Sequence, residues 1–265
     1  MDSDYLLYLV VETQDSMAKQ RGIVFFEGTM GGINFYYRKG VPTARAAGGG
    51  FTRAAIKNGA HMVRVRESNS EFAGCSRVNK IFKQSVRLFL AGYTDGTLHN
   101  RLIQLFLKLK DLDAVSERGK RCVALGIATA IGQQLLQDFV FTPKRPVLLA
   151  CAYGFDWETL TFAATGVAVE QLGFPAEATY MELVVGVVCY DFEADVYTRA
   201  VAPPLMMTRD FAGDGFSVTV PPLPEGTGVL YAVARVAFYQ EVNGKGYLLS
   251  GDGAFGFAIV GVQAT

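Results

Sequence analysis

Side chains that carry chemistry are scarce in this sequence. Its 265 residues include two histidines, four cysteines and a single tryptophan. The cysteines at 75, 122, 151 and 189 are too few and too scattered for a disulfide scaffold. No CxxC or HxxxH spacing points to zinc. His61 follows a glycine-rich stretch and His99 opens an expected helix, so no site joins the two. Neither a phosphate-cradling GxxxxGK[ST] loop nor a GxGxxG turn between strand and helix occurs. A run of about 18 apolar residues is also missing, so no membrane span is expected. Asp191, Glu193 and Asp195 alternate after an apolar run and read as a solvated strand end rather than a calcium site. The expectation is a protein that is not an enzyme and holds no metal or cofactor.

What is present is the composition of a folded chain. Half of the residues are hydrophobic, 19% are charged and 29 are glycine. Such a chain buries enough apolar surface to offset the entropy of ordering, and its length fits one large domain or two smaller ones. Residues 1–16 contain the apolar run 5–11 among Asp2, Asp4, Glu12 and Asp15, with no Lys or Arg before it. That lacks the basic start of a secretory signal and reads as an N-terminal extension of a cytoplasmic protein. The zero net charge conceals a division. Residues 1–145 carry 21 Lys/Arg against 12 Asp/Glu, and residues 146–265 carry 4 against 13. A basic half suits an anionic partner, and it equally suits the acidic half of a second copy.

Along the chain the texture changes twice. Residues 23–26 and 33–38 are β-rich runs around the cluster Gly28-Thr-Met-Gly-Gly32, which reads as a hairpin. Residues 46–60, with three consecutive glycines, read as a loop or extended arm, and Val63-Arg-Val-Arg66 as a short strand. Helical spacing begins near Ser70, where Phe72, Cys75, Val78, Phe82, Val86 and Phe89 form one stripe. Ser68 or Ser70 is the expected cap, with Glu71 in the first turn. A second helix is expected over 97–112 and a shorter segment over 116–126. A further helix is expected after a Thr129 cap. Residues 143–146 (Pro-Lys-Arg-Pro) read as the boundary. Beyond them, seven to nine short strands in 120 residues suggest an antiparallel sandwich, and Asn243-Gly244 supplies a type I′ hairpin turn. The expected fold is therefore α+β: an N-terminal β-hairpin and arm with a small helical unit over 17–145, then an acidic immunoglobulin-like β-sandwich over 146–265. Trp157 lacks the flanking cysteine pair of true immunoglobulin domains, so that likeness is architectural.

The string GIVFFEGTMGGINFYYRKGVPTAR, followed by VRVRESNSEFAGCSRVNKIFKQSVR, resembles a family of uncharacterised bacterial proteins. Its later motifs are similar to SERGKR (116–121), FVFTPKRP (139–146) and FYQEVNGKGYLL (238–249). The resemblance spans about residues 17–262 and implies the architecture above, without an activity.

The most suggestive chemistry is basic and aromatic. Arg38, Lys39, Arg45, Arg53, Arg64 and Arg66, with Tyr36 and Tyr37, are the candidate partner-binding residues. Arginine and aromatic side chains dominate protein-interface hot spots, and they also grip phosphates and stack bases. The expectation is a structural or interaction protein that assembles with itself or another protein. Nucleic-acid binding by the basic region is the alternative. A weaker reading is a carbohydrate- or surface-binding sandwich using Tyr153, Trp157 and Tyr180.

Overall fold

The computed structural model describes residues 18–21, 24–48, 52–222 and 226–264. The chain divides into two compact units, Met1–Met62 and Val63–Thr265.

In the first unit, β1 (Ala18–Lys19), β2 (Gly28–Met30), β3 (Ile33–Arg38) and β4 (Val41–Ala46) form an antiparallel sheet in the order β1-β4-β3-β2. Two-residue turns set its register. Gly31 and Gly32 have φ of +59° and +76°, and Lys39 and Gly40 have +50° and +76°, so each pair supplies the two left-handed residues of a tight hairpin. The first strand of the expected hairpin is Gly28–Met30 rather than 23–26; residues 24–27 lie outside any strand and Ile23 outside the described residues. The expected arm is partly helix. Thr52 caps α1 (Arg53–Asn58) by accepting the Ala55 N–H at 3.1 Å, while residues 49–51 lie outside the described residues.

The second unit begins with α2 (Val63–Ser85). Residues 63–66, expected as a strand, are its first turn. No helix breaker separates them from the apolar stripe, and Arg64 pairs with Glu67 one turn on at 3.2 Å. Ser68 and Ser70 are therefore interior to the helix, and neither caps it. Cys75, Val78, Phe82, Val86 and Phe89 are buried as expected, but Phe72 is half exposed. Then follow α3 (Leu98–Asp111), α4 (Val123–Ile127) and α5 (Ala130–Gln137). Thr129 does cap α5, accepting the Gly132 N–H at 3.0 Å. Glycine is needed at 126 because a Cβ there would lie 1.8 Å from the Leu109 carbonyl oxygen on α3.

The sheets of this unit are antiparallel. A central pair, β7 (Tyr180–Asp191) and β11 (Val229–Val242), is flanked on one side by β8 (Val196–Val201) and β9 (Leu205–Thr208). On the other side lie β12 (Lys245–Leu248) and β13 (Phe255–Ala264). The β11–β12 turn is the expected one, with Asn243 and Gly244 at φ +53° and +74°. A smaller sheet runs β10-β6-β5, from β5 (Ala152–Asp156), β6 (Thr161–Thr165) and β10 (Gly215–Thr219).

The period of two along β11 explains the layering. Tyr231, Val233 and Ala237 share a core with Phe82, Phe106, Leu109 and Leu136 of the helices. Leu230, Ala232, Ala234, Val236 and Phe238 share the other with Phe162, Ala164 and Val218 of the smaller sheet. The larger sheet is thus buried on both faces, under helices on one and a sheet on the other, so its central strands are apolar apart from the paired Glu182 and Arg235 and the polar residues at their ends. Helices and sheets are consequently one unit. The boundary expected at 143–146 lies inside it, because the apolar stripes of the helices need the sheet to cover them. The architecture is α+β with antiparallel sheets. Among the described residues, no helix is long and apolar enough to cross a membrane.

Candidate interaction surface on the N-terminal sheet

Residues paired directly across antiparallel strands place their side chains on the same side of the sheet. The register aligns Gly28 with Phe35, Met30 with Ile33, Phe35 with Ala44, Tyr37 with Pro42, and Ala18 with Ala44. One face therefore carries Met30, Ile33, Phe35, Tyr37, Pro42 and Ala44, and the Phe26 ring rests 5.6 Å from that of Phe35. Met30 is 59% exposed, Ile33 42% and Tyr37 49%. The other face carries Thr29, Asn34, Tyr36, Arg38, Thr43, Arg45 and Lys19. The Arg45 guanidinium lies 5.5 Å from the centre of the Tyr36 ring, so a cation and an aromatic face are presented together. A shallow groove of about 410 Å³ is lined here by Lys19, Arg38, Lys39, Val41 and Thr43. Among the described residues of this unit only Thr43 and Met62 are buried. The sheet has an apolar side, but the described residues of this unit form no core on it.

The expected partner-binding residues are divided by this geometry. Tyr36, Arg38 and Arg45 share the basic face, Lys39 sits in the adjoining turn, and Tyr37 points to the apolar side. Arg53 opens α1, and Arg64 and Arg66 belong to α2 in the second unit. Lys19 joins the basic face through its pairing with Thr43, a long-range register that no local pattern announces.

Several charged groups of the second unit are bound to one another. Buried Glu71 receives both Nε and Nη2 of Arg121 at 2.9 Å, Lys110 Nζ at 2.7 Å and the Gly119 N–H at 2.7 Å. The Arg121 hydrogen bonds, then those from Lys110 and Gly119, outweigh the cost of burial and hold its carboxyl at about 2. Buried Asp113 accepts the N–H groups of Val115, Ser116 and Cys122 at 2.9–3.0 Å. Burial opposes its ionisation, but these bonds win and keep it well below the usual carboxylate range. The SERGKR segment is thus pinned between two buried carboxylates, which gives that motif a structural cause. His99 Nδ1 lies 3.1 Å from both the Asn79 amide nitrogen and Lys83 Nζ; the lysine can only donate, so the ring proton belongs on Nε2. All four cysteines are free, and burial pushes the Cys75 thiol up to about 11. Asp191 accepts the N–H groups of Glu193 and Ala194 within the β7–β8 turn, and Asp195 pairs with Arg77 at 2.7 Å. Among the described residues no group of three His, Cys, Asp or Glu side chains is placed to hold a metal.

Tyr153, Trp157 and Tyr180 do not form a common platform. Tyr153 packs on Phe162, Trp157 meets Phe155 edge-on, and Tyr180 stacks on Tyr239 with ring centres 5.1 Å apart.

No protein-family model, curated protein or solved structure matches this chain.

Proposed function

We propose that this chain is a non-enzymatic structural or interaction protein that self-assembles, with the second unit as its rigid body and the N-terminal sheet as its contact. The observation that carries this reading is the sheet without a core. Met30, Ile33 and Tyr37 share a face that the described residues of the first unit leave open, and a sheet gains stability mainly by covering such a face. Strands about 4.8 Å apart, two of six residues and two shorter, at about 3.4 Å per residue give that face about 300 Å². A standard interface takes about 800 Å² from each partner, so the face alone supports only a weak contact. The edge strands β1 and β2 add backbone groups able to pair with another chain. Charge adds the rest. Residues 18–62 carry seven Lys/Arg and one acid, Glu27, while residues 146–265 carry 13 acids and 4 bases. The basic half of one copy is therefore drawn to the acidic half of the next, a head-to-tail arrangement that builds rings or filaments. The immunoglobulin-like description of 146–265, the bacterial family resemblance and a cytoplasmic setting belong to this same reading.

Light scattering after size exclusion, on nuclease-treated protein, tests it. The expected mass at low salt is well above 28.8 kDa and falls as salt rises. Replacing Met30 and Ile33 together by serine should lower that mass without lowering the melting temperature. A monomer at both salts would overturn the proposal.

A further inference from the structure

We infer that the opposite, basic face of the N-terminal sheet binds single-stranded nucleic acid. Lys19, Arg38 and Arg45 lie on that face with Lys39 at its rim, and among the described residues the strand register places no acid on it. The one acid of residues 18–62, Glu27, precedes β2. Protein interfaces are depleted in lysine. A face of one sign suits a partner that is anionic along its whole length. Tyr36 stands in the middle of these cations, with the Arg45 guanidinium 5.5 Å from its ring centre. An aromatic ring set among cations is the arrangement on which unpaired bases stack while their phosphates are neutralised. Thr29 and Asn34 extend the same face with hydrogen-bonding groups.

Shape narrows the ligand further. The face spans four strands, about 14 Å, and same-side residues recur at about 6.8 Å along each strand. Among the described residues of this unit no wall closes around it, so it fits a polymer lying across the sheet better than a small anion enclosed in a pocket. A duplex keeps its bases stacked and offers none to Tyr36, which selects the single strand. The chain as a whole has no net charge. Attraction is therefore local to this face and should be readily screened by salt.

Fluorescence anisotropy of a labelled oligothymidylate of about 20 nucleotides, titrated with the full chain, tests the inference. Engagement of about four phosphates predicts binding that weakens about 50-fold between about 50 and about 200 mM salt. Tyr36→Ala should weaken it about tenfold, and Tyr36→Phe, which keeps the ring, should leave it unchanged. Arg38→Glu with Arg45→Glu should abolish it, with melting temperatures confirming that each variant is folded. No anisotropy change for the wild-type chain at about 50 mM salt would overturn the inference. So would wild-type binding in the Tyr36→Ala protein or in the charge-reversed protein. If the oligonucleotide fails to bind and charge reversal instead lowers the light-scattering mass, the face belongs to the acidic half of a second copy, and the inference is wrong.

Discussion

Phe82 and Met30 are both large apolar side chains, and they meet opposite fates. Phe82 is fully buried between helices and sheet, with its ring 5.4 Å from that of Phe106 and 5.5 Å from that of Tyr231. Met30 stands on the N-terminal sheet with 59% of its surface exposed. The difference lies in the number of layers. In the second unit three layers enclose two cores, so apolar side chains on either face of the central strands find cover. In the first unit the described residues supply no second layer for the single sheet, so within that unit the same alternation of side chains leaves an apolar face open. Apolar surface in the second unit holds the fold together. In the first it is available for a contact.

Substitutions should separate these roles. The largest effect is expected for Phe82→Ala, which removes a ring from the junction of helices and sheet. Its unfolding free energy, read from urea denaturation, should fall by about 4 kcal/mol. Next is Glu71→Gln, which leaves the buried Lys110 without its full counter-charge and should cost about 3 kcal/mol. This second case also carries a pH signature. The Glu71 carboxyl sits at about 2 in the fold against 4.5 when free, so its contribution is complete above about 4.5 and is lost as pH falls toward about 2. The glutamine variant should lack that part of the acid sensitivity, and urea melts at several pH values would show it. A wild-type acid profile in Glu71→Gln would mean that Glu71 does not hold the SERGKR segment. The smallest effect on stability is expected for Met30→Ser, within about 0.5 kcal/mol, although assembly should weaken. A loss of several kcal/mol there would erase the contrast between the two units, because it would show the sheet face to be a core position.

Much of the second unit is legible along the chain. Leu98, Leu102, Leu105, Phe106 and Leu109 recur at helical spacing and are all buried, and Thr129 caps the helix it precedes. Asn243-Gly244 forms its turn because local sterics alone favour positive φ there. Four residues of Val-Arg alternation mislead, since period two over so short a span cannot outweigh the helix that continues from it. Glu71 misleads for a different reason. Its position suggests a helix start, but its partners at 110, 119 and 121 come from 39–50 residues away. The basic face is half legible. Tyr36 and Arg38 share a side by simple alternation, whereas Lys19 and Arg45 reach them only through strand pairing.

The sequence by itself determined the local elements: helix stripes, caps, tight turns and the long apolar strands. It also determined the division of charge between the two halves. Tertiary structure alone decided that the helices cover the larger sheet, that two buried carboxylates hold the SERGKR loop, and that the N-terminal strands sort into an apolar and a basic face. The physical reason is range. Turns and periodicity act among residues a few positions apart, while burial, ion pairing and strand register depend on which distant segments are brought together.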